Sequence, residues 1–178
     1  MVEQVAAQRP GGRDYFSLFQ LPAQQILDVA DLTRRFHLLQ KRFHPDNVQS
    51  GSAAEQRLAA QLSAEKNTAY QLLKDPVRRA GYLLECAGVD LSALERRPVD
   101  MAFLQQQILW REQVQEAEAE ELQALTLEID ALLATTLDAV SPALSEGELD
   151  RAGDAWLRAL YLKKLRFELA EQLERKDY

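Results

Sequence analysis

The chain predicts an all-α fold in two small domains, an antiparallel helical hairpin with short flanking helices packed on a three-helix bundle. Leu, Ala, Glu, Gln and Arg recur in helical spacing, and alternating Val, Ile and Thr bounded by turn residues are missing. Only 7 glycines interrupt 178 residues, and a 47% hydrophobic composition is enough for a real core. Turn signals divide the chain into a polar tail (1–13), a first domain (14–90), a short connection (91–98) and a second domain (99–178).

The tail carries Pro10-Gly11-Gly12 and no apolar run of the length a signal peptide needs. Structure is expected to begin at Asp14-Tyr15-Phe16-Ser17-Leu18-Phe19, a short apolar turn or helix ending before Pro22. The next helix runs from Asp28 to Phe43. Asp28, with Asp31 three residues later, is close to a capping box. At about 100° per residue, Leu32, Phe36, Leu39 and Phe43 share one stripe, while Arg34, Arg35, Lys41 and Arg42 fall on the opposite side. One face packs and the other is cationic. Pro45 lacks an amide hydrogen and disfavours helix at the residue before it, so the helix stops near His44 and leaves Asp46 on an exposed bend.

A loop around Gly51 leads into a long helix from about Ala53 to Leu73, whose Leu58, Leu62, Ala69, Leu72 and Leu73 can pair with the apolar stripe of the preceding helix. Asp75-Pro76 ends it and opens another, Val77 to Ala87, with Gly88 at its C-cap.

A cationic helix, a His44-Pro45-Asp46 exit and an antiparallel partner helix together resemble the J-domain, by which co-chaperones stimulate the ATPase of a DnaK-type chaperone. Arg34, Arg35, Lys41, Arg42 and the tripeptide His44, Pro45 and Asp46 are then the expected chaperone-binding residues. The resemblance has Asp46 meeting an arginine of the chaperone's nucleotide domain, with His44 and Pro45 fixing the loop. Asn47 stands where a lysine is common, which removes one cation beside the tripeptide.

The helix at Arg79-Ala80-Gly81-Tyr82-Leu83-Leu84 is stickier than its counterpart in generic J-domains, apolar enough to dock a second domain. With Tyr15-Phe16-Ser17-Leu18-Phe19 and the composition of the second domain, it resembles the HscB branch of J-proteins, co-chaperones dedicated to iron–sulfur cluster assembly. The resemblance covers Asp14 to the end.

In the second domain, helices are expected at about Val99 to Glu118, Glu121 to Val140 and Glu148 to Lys176, with Ser141-Pro142 and Gly147 as breaks. The first is apolar on two sides: Phe103, Trp110, Val114 and Ala117 form one stripe, and Met101, Leu104 and Ile108 lie nearly opposite, continued by Glu112 and Glu116. The last repeats the pattern, with Leu162, Leu165, Leu169 and Leu173 grouped and Trp156, Leu160 and Phe167 on another side. A three-helix bundle buries one stripe per helix, so the second meets the first domain, a partner or solvent. In HscB proteins the corresponding surface binds the cluster scaffold protein IscU. Matching by Phe103-Leu104 and Lys164-Leu165-Arg166-Phe167 places Leu104, Gln105, Ile108, Leu109, Glu112, Glu116 and Phe167 on it. Leu109 stands where an acid is expected, making the patch more apolar.

Charge divides with the domains: eleven Lys and Arg against ten Asp and Glu up to Asp90, then ten against eighteen, for a net −7. Between Glu112 and Asp150 lie eleven acids and no Lys or Arg, a run read as a solvated face that argues against nucleic acid binding by this half. A single cysteine, Cys86, excludes an intrachain disulfide and suits a reducing, cytoplasmic compartment, and no run is long and apolar enough for a bilayer. His37 and His44 with one cysteine make no Cys/His metal cluster, and neither type of glycine-rich phosphate loop occurs. No cofactor, metal or enzymatic activity is expected. The rival readings are a J-protein with a different client and a plain helical adaptor.

Overall fold

The computed structural model describes residues 14–42 and 52–176. These residues form α-helices joined by turns, without a strand among them, and the chain divides into two compact units, Met1–Cys86 and Ala87–Tyr178.

In the first unit, α1 (Tyr15–Leu18) starts on Asp14, whose carboxylate accepts the Phe16 and Ser17 amides at 3.0 and 3.2 Å. It is short because Gln20 takes a left-handed conformation (φ 55°), and the Leu21 amide returns to the Phe16 carbonyl at 3.0 Å. The turn leaves Phe16 and Phe19 almost wholly buried. α2 (Val29–Arg42) is capped by Asp28, which accepts the Ala30 and Asp31 amides. α3 (Ala53–Lys74) opens with a reciprocal capping box of Ser52 and Glu55.

The two long helices run antiparallel, since residues early in α2 meet residues late in α3. Phe36 stacks on Tyr70 with ring centroids 4.1 Å apart, the Thr33 and Tyr70 hydroxyls share a hydrogen bond, and the Lys66 ammonium lies 5.4 Å above the Phe36 ring. Leu32 is fully buried and Leu39 half-buried, as the helical stripe requires, while Phe43 lies outside the described residues. α4 (Pro76–Cys86) has proline at its first position, where the missing amide hydrogen costs nothing, and the Asp75 carboxylate caps it. Arg79 is buried and donates to the Gln25 and Leu73 carbonyls, while the Gln25 amide donates to the Pro76 carbonyl. This pins the segment before α2 to the α3–α4 corner.

In the second unit Gly88 turns the chain at φ 87°. The stretch expected to be a plain connection holds a one-turn helix, α5 (Leu91–Leu94), capped by Asp90, and its Leu94 is buried. α6 (Met101–Glu116) is shorter at both ends than its periodicity predicts. Asp100 caps it at the start, and at the other end Ala117 turns to an extended conformation. α7 (Ala119–Asp138) follows.

Ser141-Pro142, expected as a break, lies inside α8 (Val140–Ser145). Proline is tolerated there because it sits in the first turn, among the amides that have no intrahelical acceptor. Gly147, at φ 76°, makes the turn into α9 (Leu149–Lys176).

α9 is the spine of this unit, with α5, α6, α7 and α8 all packed on it. Trp110 and Val114 from α6, Leu122, Leu125 and Ile129 from α7 and Leu162, Leu165 and Leu169 from α9 make one buried cluster. Ion pairs between helices, such as Arg166–Asp130 at 2.9 Å and Lys176–Glu118 at 3.4 Å, fasten its edges.

Candidate partner-binding surfaces

The cationic side of α2 is built as the 3.6-residue period requires, but its charges are not equivalent. Arg34 projects into solvent with 70% of its side chain exposed and pairs with Asp31. Lys41 is exposed as well. Arg35, placed on the same face by periodicity, folds back: its Nε donates to Asp31 at 2.8 Å, and one terminal nitrogen donates to the Phe19 and Gln20 carbonyls at 3.1 and 2.9 Å. Gln20 holds a left-handed conformation at this turn, and a single guanidinium nitrogen reaches both carbonyls while Nε reaches Asp31. Arg35 therefore holds the α1–α2 turn. The Asp31 carboxyl, bonded first by Arg35 and then by Arg34, is held below the usual carboxylate range.

Arg42 is the last residue of α2, and His44, Pro45, Asp46 and Asn47 lie outside the described residues. His37 is exposed, with Gln40 its hydrogen-bond neighbour at 3.4 Å.

The second surface lies on α6 and α9. Trp110 and Val114 turn inward, with Phe103 and Ala117 half-buried beside them. The opposite stripe stays out: Met101, Ile108 and Leu109 are 68%, 57% and 53% exposed, Gln105, Glu112 and Glu116 are exposed, and Leu104 is half-buried. On α9, Phe167 is 65% exposed. A pair between Arg111 and Glu168 at 3.2 Å ties the α6 turn carrying Ile108 and Glu112 to the α9 turn carrying Phe167. Large apolar side chains in water, rimmed by carboxylates, have the composition of a protein-binding site.

Helical spacing grouped Trp156 and Leu160 with Phe167, but α9 separates them, for Trp156 is buried and Leu160 half-buried. The helix is wrapped on several sides, so a single-stripe reading fails for it. Sequence reasoning also left Met101 outside the expected patch, although its exposure continues that stripe by one turn.

Among the described residues, no group of three His, Cys, Asp or Glu side chains is placed to hold a metal ion, and no helix is long and apolar enough to cross a membrane.

Comparison with known proteins converges on one family. Residues 99–174 match the model of the HSCB C-terminal oligomerisation domain. The co-chaperone protein HscB homologue of Paraburkholderia phytofirmans is 35% identical over 167 residues, covering 92% of this chain and 95% of that protein. The homologue of Cupriavidus taiwanensis is 36% identical over 166 residues, 91% and 94% of the two chains. Among solved structures, the chaperone HscB of Vibrio cholerae superposes with a TM-score of 0.80 at 33% identity, covering 92% of this chain and 99% of that one. Human co-chaperone HscB superposes with a TM-score of 0.83 at 26% identity, over 96% and 86%. The first unit is therefore a J-domain, the second is the C-terminal helical bundle, and the chain belongs to the HscB co-chaperone family.

Proposed function

We propose that this protein is a cytoplasmic co-chaperone of iron–sulfur cluster assembly that stimulates ATP hydrolysis by a chaperone of the DnaK or HscA kind and delivers the scaffold protein IscU to it. The observation that carries the reading is that one chain, related to HscB along almost its whole length, joins the His44-Pro45-Asp46 tripeptide to a bundle with a solvent-exposed apolar patch.

The division of labour follows from the charges. Arg34, Lys41 and Arg42 supply the positive field that draws in the chaperone, and the tripeptide beyond the helix end makes the contact that triggers hydrolysis. Arg35 supports that face from behind by fixing the turn under it. On the bundle, Leu104, Ile108, Leu109 and Phe167 exclude water from the scaffold contact, with Gln105, Glu112 and Glu116 at its rim. The protein is not an enzyme; the hydrolytic chemistry belongs to the partner. It needs no cofactor, and nucleic acid and membrane are not among its partners.

Single-turnover ATP hydrolysis by the HscA-type chaperone with IscU present tests this. The native protein should accelerate turnover at least about tenfold, the scale of a lost 1.4 kcal/mol of barrier, and Asp46→Ala should return it to the basal rate. Equal rates with and without the native protein would refute the reading.

A further inference from the structure

Where α6 ends and the chain turns into α7, the surface opens into a groove of about 490 Å³. Ala117, Ala124 and Leu125 form its apolar floor, and Glu116, Glu121 and Glu128 stand along its sides. Glu121, Ala124, Leu125 and Glu128 follow one another at the spacing of a single helix face, so α7 presents a carboxylate at each end of a short apolar strip.

The charges of this region are not equally balanced. Asp130 and Glu118 are answered by Arg166 and Lys176 of α9. Glu116, Glu121 and Glu128 enter no ion pair among the described residues, and the sequence offers no Lys or Arg anywhere from Glu112 to Asp150. One Glu121 oxygen accepts the Glu118 amide, which fixes the side chain at the groove rather than leaving it to wander. Carboxylates without cations, set around an apolar floor wide enough for an aliphatic stem, match a lysine or arginine that lays its methylenes on the floor and its charge between the acids.

Glu116 belongs both to this groove and to the scaffold surface of α6, so the two are continuous. We infer that the groove receives a lysine- or arginine-bearing segment of the scaffold protein, extending the scaffold contact from α6 across onto α7. The inference rests on the scaffold being the client, as proposed above, and adds the α7 carboxylates Glu121 and Glu128 to the acids already at the rim of that contact.

Isothermal titration of the full-length protein with the metal-free scaffold protein, at low and at high salt, tests it with three variants, each checked by circular dichroism for an intact melt. Glu128→Gln should weaken binding about threefold to tenfold at low salt, and the deficit should shrink at high salt as screening removes the native advantage. Ala124→Lys, which seats a tethered cation in the groove, should weaken it further. Ile108→Ser should weaken binding at both salt concentrations alike. If Ile108→Ser loses affinity while Glu128→Gln and Ala124→Lys bind as the native protein does, the groove is refuted and the apolar scaffold surface stands. A Glu128→Gln deficit that ignores salt would also overturn the inference. Absence of any binding by the native protein would remove the scaffold reading and the groove together. Sedimentation of the same samples covers the remaining occupant: self-association abolished by Ala124→Lys, with scaffold binding intact, would assign the groove to a second copy of this chain instead.

Discussion

Tyr82 shows how one side chain can close a small domain. Its ring is buried and stacks on Tyr15 with centroids 5.0 Å apart, and its hydroxyl accepts the Tyr15 amide at 3.1 Å, where α1 begins. Burial pushes the phenol well above its ordinary pKa, so it stays a neutral acceptor through the physiological range. Tyr82→Phe keeps the ring and removes the acceptor of a buried amide, and should cost about 1–3 kcal/mol in urea unfolding with the helical spectrum unchanged. Lys66 acts in the opposite direction. It is 4% exposed over the Phe36 ring, and burial lowers its pKa from 10.5. In the window just below 10.5 the folded state therefore holds fewer protons than the unfolded chain, so stability rises with pH there, and at neutral pH the full burial penalty is present. Lys66→Met should raise stability at pH 7 by up to about 1 kcal/mol, and should flatten the rise toward alkaline pH in the same unfolding series.

Among the elements, those legible in the sequence are the ones that repeat a period over several turns. Leu32, Phe36 and Leu39 define α2, Asp28 marks its start, and Pro76 places the start of α4, because stripe and cap are both local properties of the chain. α5 and α8 escaped because helices of 4 and 6 residues are too short to display a period, and Pro142 reads as a breaker unless the helix start is already known. The exposed stripe of α6 was legible for the same reason as α2: Met101, Leu104 and Ile108 cannot share a face with Trp110 and Val114. The turn held by Arg35 was not, since it depends on carbonyls fifteen and sixteen residues away, at a turn where Gln20 takes an unusual backbone conformation. Nor was the groove, whose two sides come from different helices and whose carboxylates, read along the chain, look like any solvated acidic run. The tripeptide was legible as a motif alone, and it lies outside the described residues.

At the scale of the molecule, charge and structure divide together. The first unit is nearly balanced at +2 and concentrates cations on α2, whereas the second stands at −9 and places seven of its ten cations on α9, where Arg166 and Lys176 answer Asp130 and Glu118 of the neighbouring helix and its cap. Partners of opposite sign can then be recruited by opposite halves without competing for one surface. The second unit also reaches further toward the N-terminus than its three long helices do. A Cβ on Gly153 of α9 would stand 2.9 Å from the Leu94 Cδ2 atom, so the helix has surrendered a side chain to let α5 lie against it, and Leu94 is 2% exposed in that seat. The bundle is thus a plugged object whose stopper is strung on the chain before it. A fragment cut at Val99 would uncover the seat and leave Gly153, in the second turn of α9, with Leu94 no longer packed against it, whereas one cut at Ala87 would keep both halves of the contact. Thermal denaturation of the two fragments should find the shorter one less stable by about 1.5–3 kcal/mol, the scale of uncovering one leucine; equal melting would mean that α5 only rests on the bundle and does not complete it.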